Sequence, residues 1–278
     1  MKHWILGGLV QREVTTISGG DVQIEVISEG RGPLIVILPS LGRGAEDYDE
    51  VAPRLADKGF RVLRPQPRGI GGSRGPLGRL DLYDFAADIA LVLEHEGSDP
   101  ALVVGHAWGS QPARMLATTR PDLVRGLVLA AASAGKLPAG LNEKPYSRMR
   151  TAIDGAGDLR LPEAQRLEFL RQAFFAPGND PRPWLTGWWP KTHEAQGRAR
   201  DATPIDSYFG GGAAPILDLQ ADHDAVVVPN VFKPLLGQRV TVQVVKGAGH
   251  ALVPEQPAAV SAAIADFAHH VMNTMRQE

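Results

Sequence analysis

Ala101-Leu-Val-Val-Gly-His-Ala-Trp-Gly-Ser110 is the stretch that decides the fold. The apolar run Ala101 to Val104 reads as a strand buried on both faces, and the glycines at 105 and 109 bracket a sharp turn into a helical segment. A turn of this kind presents one side chain, that of residue 107. Residue 107 is alanine.

On the N-terminal side, Glu13 to Ser18 and Asp21 to Ser28 alternate in character around Gly19-Gly20, the pattern of a hairpin. Leu34 to Leu38 is apolar throughout, as a central parallel strand should be. It leads into the turn Pro39-Ser-Leu-Gly-Arg-Gly44 and then a helix from Ala45 whose stripe is Tyr48, Val51 and Leu55, stopping at Gly59. Phe60 to Leu63 is the next strand. Asp81 caps a helix with Leu82, Phe85, Ala86, Ile89 and Leu93 as its buried positions. Beyond the central stretch, a helix is predicted from Ser110 to Thr119 and a strand from Val124 to Leu129. This alternation demands a parallel sheet with helices on both faces.

From Ala134 to Gly212 the rhythm changes. Helical patterns around Arg148 to Ile153 and Glu163 to Phe175 precede Pro181-Arg-Pro-Trp184 and Thr186-Gly-Trp-Trp189, with no β-branched apolar run. The segment reads as a helical lid over residues 134–212, inserted into a core made of 1–133 and 213–278. Sheet grammar returns with Pro215 to Leu219, a short helix near Val231, a strand from Val240 to Val245 and a terminal helix from Pro257 to Met275.

Composition narrows the functional classes. With 29 basic and 31 acidic residues, a net charge of −2 and no long run of either sign, the chain carries no electrostatic footprint for nucleic acid or an anionic membrane. Cysteine is absent, which excludes disulfides and thiol chemistry. Met1 to Val10 is a short apolar run followed by Gln11-Arg12-Glu13 rather than a small-residue cleavage site, so it is expected to belong to the mature protein. No run is long enough to span a bilayer, and a cytoplasmic location is expected. The glycines of Arg68-Gly-Ile-Gly-Gly-Ser73 do not make a dinucleotide loop, because position 74 is arginine and no helix follows directly. His269 and His270 are adjacent on a helix and point apart, so no metal site is expected. The expected partner is a small, moderately apolar substrate, with a homodimer as the one assembly entertained and no cofactor.

The strand, Gly-x-x-x-Gly turn and helix at 101–119 resemble the nucleophile elbow of α/β-hydrolases, whose central residue is normally a serine on a strained backbone. Two further stretches carry the resemblance, in the family's chain order. Ala221-Asp-His-Asp-Ala-Val-Val-Val-Pro229 is similar to the family's acid loop, which implies Asp224 as the acid, with Asp222 and then Asp218 as alternatives. Gly247-Ala-Gly-His250 is similar to the Gly-x-Gly-His loop, which implies His250 as the base. The chemistry needs such a set because a neutral hydroxyl is a poor nucleophile until an imidazole takes its proton, and a carboxylate must hold that imidazole in one tautomer. By the same resemblance, Trp108 and Leu41 supply the backbone donors of an oxyanion hole. Ser40, His106, Trp184, Trp188 and Trp189 are expected around the substrate pocket, Phe174 and Phe175 being the other aromatic residues of the lid.

Ala107 departs from the family pattern. The resemblance implies a serine hydrolase for carboxylic esters or lactones, here in a form that lacks its nucleophile. Amide or carbon-carbon bond hydrolysis uses the same constellation. A non-catalytic binding protein and a lyase or oxygenase working through His250 and Asp224 alone are the other readings.

Overall fold

The computed structural model of the chain describes residues 12–97, 99–132, 136–141 and 145–274. The N-terminal run Met1 to Val10, the start of the predicted lid at Ala134 and the last predicted helical residue Met275 lie outside the described residues. The strands are β1 (Glu13–Gly19), β2 (Val22–Glu29), β3 (Leu34–Leu38), β4 (Arg61–Pro65), β5 (Ala101–His106), β6 (Val124–Ala130), β7 (Ile216–Ala221) and β8 (Val240–Val245). They form one sheet in the order β1-β2-β4-β3-β5-β6-β7-β8, with β2 antiparallel to its neighbours and the run from β4 to β8 parallel.

Period-2 alternation divides each central strand between two cores. Leu34, Val36 and Leu38 of β3 and Ala101 and Val103 of β5 join one cluster with helices α2 (Leu82–His95) and α3 (Ser110–Thr119). Ile35, Ile37, Leu102 and Val104 join the other, with α1 (Val51–Ala56) and, further along the chain, Ile264 and Val271 of the C-terminal helix. Asp81 caps α2 through a full capping box: its side chain accepts from the N–H of Tyr83 at 2.8 Å, and Asp84 accepts from the N–H of Asp81 at 2.9 Å.

Two local expectations shift. Gly19 pairs with Val22, so the hairpin turn is Gly20-Asp21, with Gly20 at φ 60° in the first turn position. The helix expected from Ala45 is split into a 3-10 turn, Ala45–Tyr48, and α1. Pro53 has no N–H for the carbonyl of Asp49, and its ring crowds that carbonyl, so a helix can run through 53 only if it starts near 51.

Between β6 and β7 lie α4 (Pro145–Ala156), α5 (Glu163–Ala173) and α6 (Pro190–Ala202). Ile153, Leu170, Phe174, Trp184 and Trp188 form a third apolar cluster there. After β7 come α7 (Phe232–Leu236), α8 (Leu252–Glu255) and α9 (Pro257–Thr274). Because β3, β5, β7 and β8 are parallel, the turn at 39–44, the residues after His106, and the loops at 222–229 and 246–250 all emerge at one edge of the sheet.

Candidate active site

The turn after β5 is strained where the sequence implies it should be. Ala107 is buried with φ 49°, a left-handed conformation that disfavours any side chain by about 1 kcal/mol. A Cβ at Gly105 would lie 2.5 Å from the Cα of Ser110, and one at Gly109 would lie 2.5 Å from the carbonyl oxygen of Leu38. Both positions therefore exclude a side chain, which is the physical meaning of the glycine bracket. Ser110 closes the turn by donating its hydroxyl to the carbonyl of Ala107 at 2.6 Å.

At the same edge, Nδ1 of His250 stands 3.0 Å from Oδ2 and 3.3 Å from Oδ1 of Asp224, with both side chains buried. The N–H groups of Val226 and Val227 also donate to Asp224 Oδ1, at 2.8 and 3.2 Å. The other carboxylates go elsewhere. Asp222 accepts from the N–H of Ala248 at 3.3 Å and lies 3.8 Å from Lys246 Nζ. Asp218 is inside β7 and bonds Gln220. The loop carrying His250 is tied to the segment after α5 by Glu255, whose carboxylate accepts from the N–H of Gly249 and of Ala176, each at 2.7 Å.

His106 has a different place from the one expected. Its ring is fully buried and does not line the cavity next to Ala107. Nε2–H donates to the carbonyl of His250 at 2.8 Å, and Nδ1 accepts from the Tyr48 hydroxyl at 3.0 Å; the carbonyl fixes this tautomer. Burial pushes its pKa down to about 3, so it is a neutral strut under His250.

A cavity with about 450 Å³ of empty space opens above Ala107. Ser40, Leu41, Trp108, His250, Phe174 and Trp188 line it, which brings together most of the residues singled out from the sequence. Trp108 sits in the first turn after β5, where backbone N–H groups have no intrahelical partner. Trp184 is buried one layer back, its ring 6.1 Å from that of Trp188. Trp189 is 40% exposed and is no part of the lining, because neighbours 188 and 189 cannot both face inward. The aromatic wall is held by Arg43, whose guanidinium carbon lies 4.6 and 4.7 Å from the Trp184 and Trp188 rings. Arg43 also donates to Asp47 Oδ2 at 2.7 Å and to the carbonyl of Thr186 at 2.6 Å.

The sequence reading missed α6, and with it Gln196, His193 and Arg200. The buried face of this helix is Thr192, Ala195, Gln196, Ala199 and Arg200, which gives no apolar periodicity. Gln196 accepts from the N–H of Gly42 at 2.7 Å, and its carbonyl accepts from the Trp108 indole at 3.2 Å, so α6 is seated on the elbow and on the turn at 39–44. Among the described residues, no three His, Asp or Glu side chains converge on a point that could hold a metal ion. Nor is any described helix long and apolar enough to cross a membrane.

Comparison with known proteins agrees with this geometry. Epoxide hydrolase A of Mycobacterium tuberculosis is 25% identical over 94% of this chain and 98% of its own length. The structure of Cfl2 from Burkholderia cenocepacia superposes with a TM-score of 0.71 at 26% identity, covering 92% of this chain and 95% of that one. A lipase-like protein of Acinetobacter baumannii, described as a "putative lipase", superposes at 0.77 with 18% identity, covering 95% and 93%; at that identity the likeness is one of fold. The family model for the alpha/beta hydrolase fold matches residues 33–257, which include the strained turn, the acid loop and the histidine loop. Sheet order, elbow and sequence match therefore place this chain in the α/β-hydrolase fold family.

Proposed function

We propose that this site is built for hydrolysis of a carboxylic ester or lactone by a hydroxyl nucleophile at position 107, with His250 as base and Asp224 as its orienting acid, and that with alanine there the chain binds such a substrate without turning it over. The observation that carries the reading is the buried Asp224–His250 pair at 3.0 Å beside a residue held at φ 49° on the wall of the same cavity. With a serine at 107, Oγ would attack the carbonyl carbon as its proton passes to His250 Nε2, and the N–H groups of Leu41 and Trp108 would receive the oxyanion. The same imidazole would then protonate the leaving alkoxide and activate the water that releases the acid.

A second reading rests on the full-length relative named an epoxide hydrolase. An epoxide is opened by attack at a saturated carbon, for which a carboxylate at 107 is a suitable nucleophile; the ester so formed on residue 107 would then be hydrolysed at its carbonyl by water activated by His250, releasing the diol and restoring the carboxylate. Two substitutions separate the readings. Loss of a triad nucleophile costs on the order of 10⁶ in kcat, so Ala107→Ser should raise ester or lactone hydrolysis by orders of magnitude and accept a fluorophosphonate label at residue 107. Ala107→Asp should instead open styrene oxide if the epoxide reading holds. A folded Ala107→Ser protein that is neither labelled nor active on a panel of esters and lactones would refute the ester proposal.

A further inference from the structure

We propose that Gln111 determines the specificity of the pocket, and that the preferred ester or lactone bears a free hydroxyl group, a few bonds from its carbonyl, that hydrogen-bonds to the Gln111 amide. This rests on the hydrolase reading for the place of the carbonyl at Ala107, but recognition of the hydroxyl does not depend on turnover. Three observations carry it.

The first is an unmet hydrogen bond. Gln111 is 5% exposed and lines the cavity above Ala107, and its Oε1 is shut off from solvent with no hydrogen-bond partner among the described residues. A buried amide oxygen that has given up water and found nothing in exchange destabilises the folded chain, and such groups are rare in folded proteins. Ile153, Phe174, Trp188 and Val226 line the same chamber, so a hydrogen bond formed there is shielded from water and is the stronger for it.

The second is the contrast with the rest of the helix. Every other polar side chain of α3 turns back to a backbone carbonyl: Ser110 to that of Ala107 at 2.6 Å, Arg114 to that of Ser110 at 3.1 Å, and Thr118 and Thr119 to those of Arg114 and Met115, each at 2.9 Å. Gln111 is the polar residue of this helix that lines the chamber, and it leaves its amide oxygen unbonded. An amide kept for the fold would have a partner inside the protein.

The third is position. Gln111 is the second residue of α3, and Ala107, at the strained turn, is four residues before it. Both line one cavity, so the amide stands on the order of one helical turn, ~5.4 Å, from the elbow. A substrate whose carbonyl lies against Ala107 therefore presents to Gln111 a group beyond the reacting atoms. The nature of that group follows from the amide, whose oxygen accepts, whose NH₂ donates, and whose last bond exchanges the two by a half turn. A hydroxyl donates and accepts, so it meets the amide in either orientation. A site with a buried polar group rejects the analogue that lacks its match, because the protein's own group is then left unpaired.

The test uses the Ala107 protein as it is, in isothermal titration with ethyl butanoate, ethyl 3-hydroxybutanoate and 2-hydroxyethyl butanoate. The three share the ester, and the last two add a hydroxyl on the acyl or on the alcohol side. One of the hydroxy esters should bind about tenfold more tightly than ethyl butanoate. Gln111→Met, close in volume and without an amide, should erase that preference by weakening the hydroxy ester while leaving ethyl butanoate within about twofold. Because it also removes an unmet polar group from the interior, it should raise the melting temperature by about 2–4 °C. Gln111→Leu carries the same expectations if Gln111→Met does not fold, and the comparison of probes on the parent protein needs no variant. Equal binding of the three probes, no binding of any, a preference that survives in the folded variants, or a fall in their melting temperature would overturn the proposal. A hydroxyl preference that is lost with Gln111, together with an Ala107→Ser form that hydrolyses nothing, would instead sink the hydrolase reading and leave the recognition site standing.

Discussion

Asp224 is held from three directions: the imidazole of His250 and the N–H groups of Val226 and Val227 all address its carboxylate. A carboxylate so held cannot swing away, and the imidazole it faces is kept with Nδ1–H towards it and Nε2 towards the cavity. In an Ala107→Ser background, Asp224→Asn should lower kcat by roughly 10⁴-fold, because the amide can donate to Nδ1 and stabilise the wrong tautomer. Asp222→Asn should change kcat by less than a few-fold, since Asp222 serves the backbone of Ala248 and the ammonium of Lys246. A pair of steady-state assays decides it, and comparable losses in the two variants would reject the assignment of the acid. His106 shows how a residue inside a motif can be misjudged. Its neighbour is the elbow residue, yet alternation along β5 turns its ring away from the cavity and beneath the His250 backbone. The signal that places it is the series Leu102, Val104, His106, which shares one face of β5.

At the scale of elements, the turn at 39–44 and the segment at 184–188 are joined through one side chain. Arg43 is buried between two tryptophan rings, pairs with Asp47, and donates to a carbonyl of the other segment. Burial raises the pKa of Asp47, and Arg43 opposes that rise. Arg43→Met should therefore leave a buried carboxylate without its cation and cost about 3 kcal/mol in urea denaturation, whereas Arg43→Met combined with Asp47→Leu should recover most of the loss. Additive losses in the double variant would show that packing on the tryptophans, not the ion pair, is what matters. Arg43 was not legible in the sequence, and the reason is general to this site. Elements whose buried faces are apolar declared themselves: β3, β5, the α2 stripe and the 110–119 helix all lie within two residues of where periodicity put them, β5 running on from Val104 to His106. Elements that carry polar side chains inward did not. The face of α6 is threonine, alanine, glutamine and arginine, and that face makes one side of the pocket. Adjacent Trp188 and Trp189 were likewise indistinguishable by composition, and local geometry sends one to the cavity and the other to solvent.

For the molecule as a whole, order along the chain was the most legible feature, because each functional loop follows an apolar parallel strand and a parallel sheet brings all such loops to one edge. What the pattern could not convey is the energetic cost of polar groups inside that sheet. Asp218 lies in the middle of β7 between β6 and β8, 3% exposed, with Gln220 Nε2 donating to it at 2.6 Å. Burial raises its pKa to about 6, from the 3.8 of an unperturbed aspartate. A carboxyl group whose folded pKa lies above its unfolded value favours the folded state while it is protonated. Ionisation is easier in the unfolded chain, so this stabilisation is intact below about pH 4 and is lost as pH rises through about 6. By the usual conversion, two units amount to a difference on the order of 3 kcal/mol between pH 4 and pH 8 from this one side chain. Asp218→Asn keeps the shape and an acceptor for Gln220 but has no proton to lose. Its stability relative to the parent should therefore rise between pH 4 and pH 8, approaching that difference at the upper end, as measured by urea denaturation at several pH values. A stability difference that stays constant across the range would show that Asp218 does not titrate between those limits, and would contradict its burial as a proton-binding group.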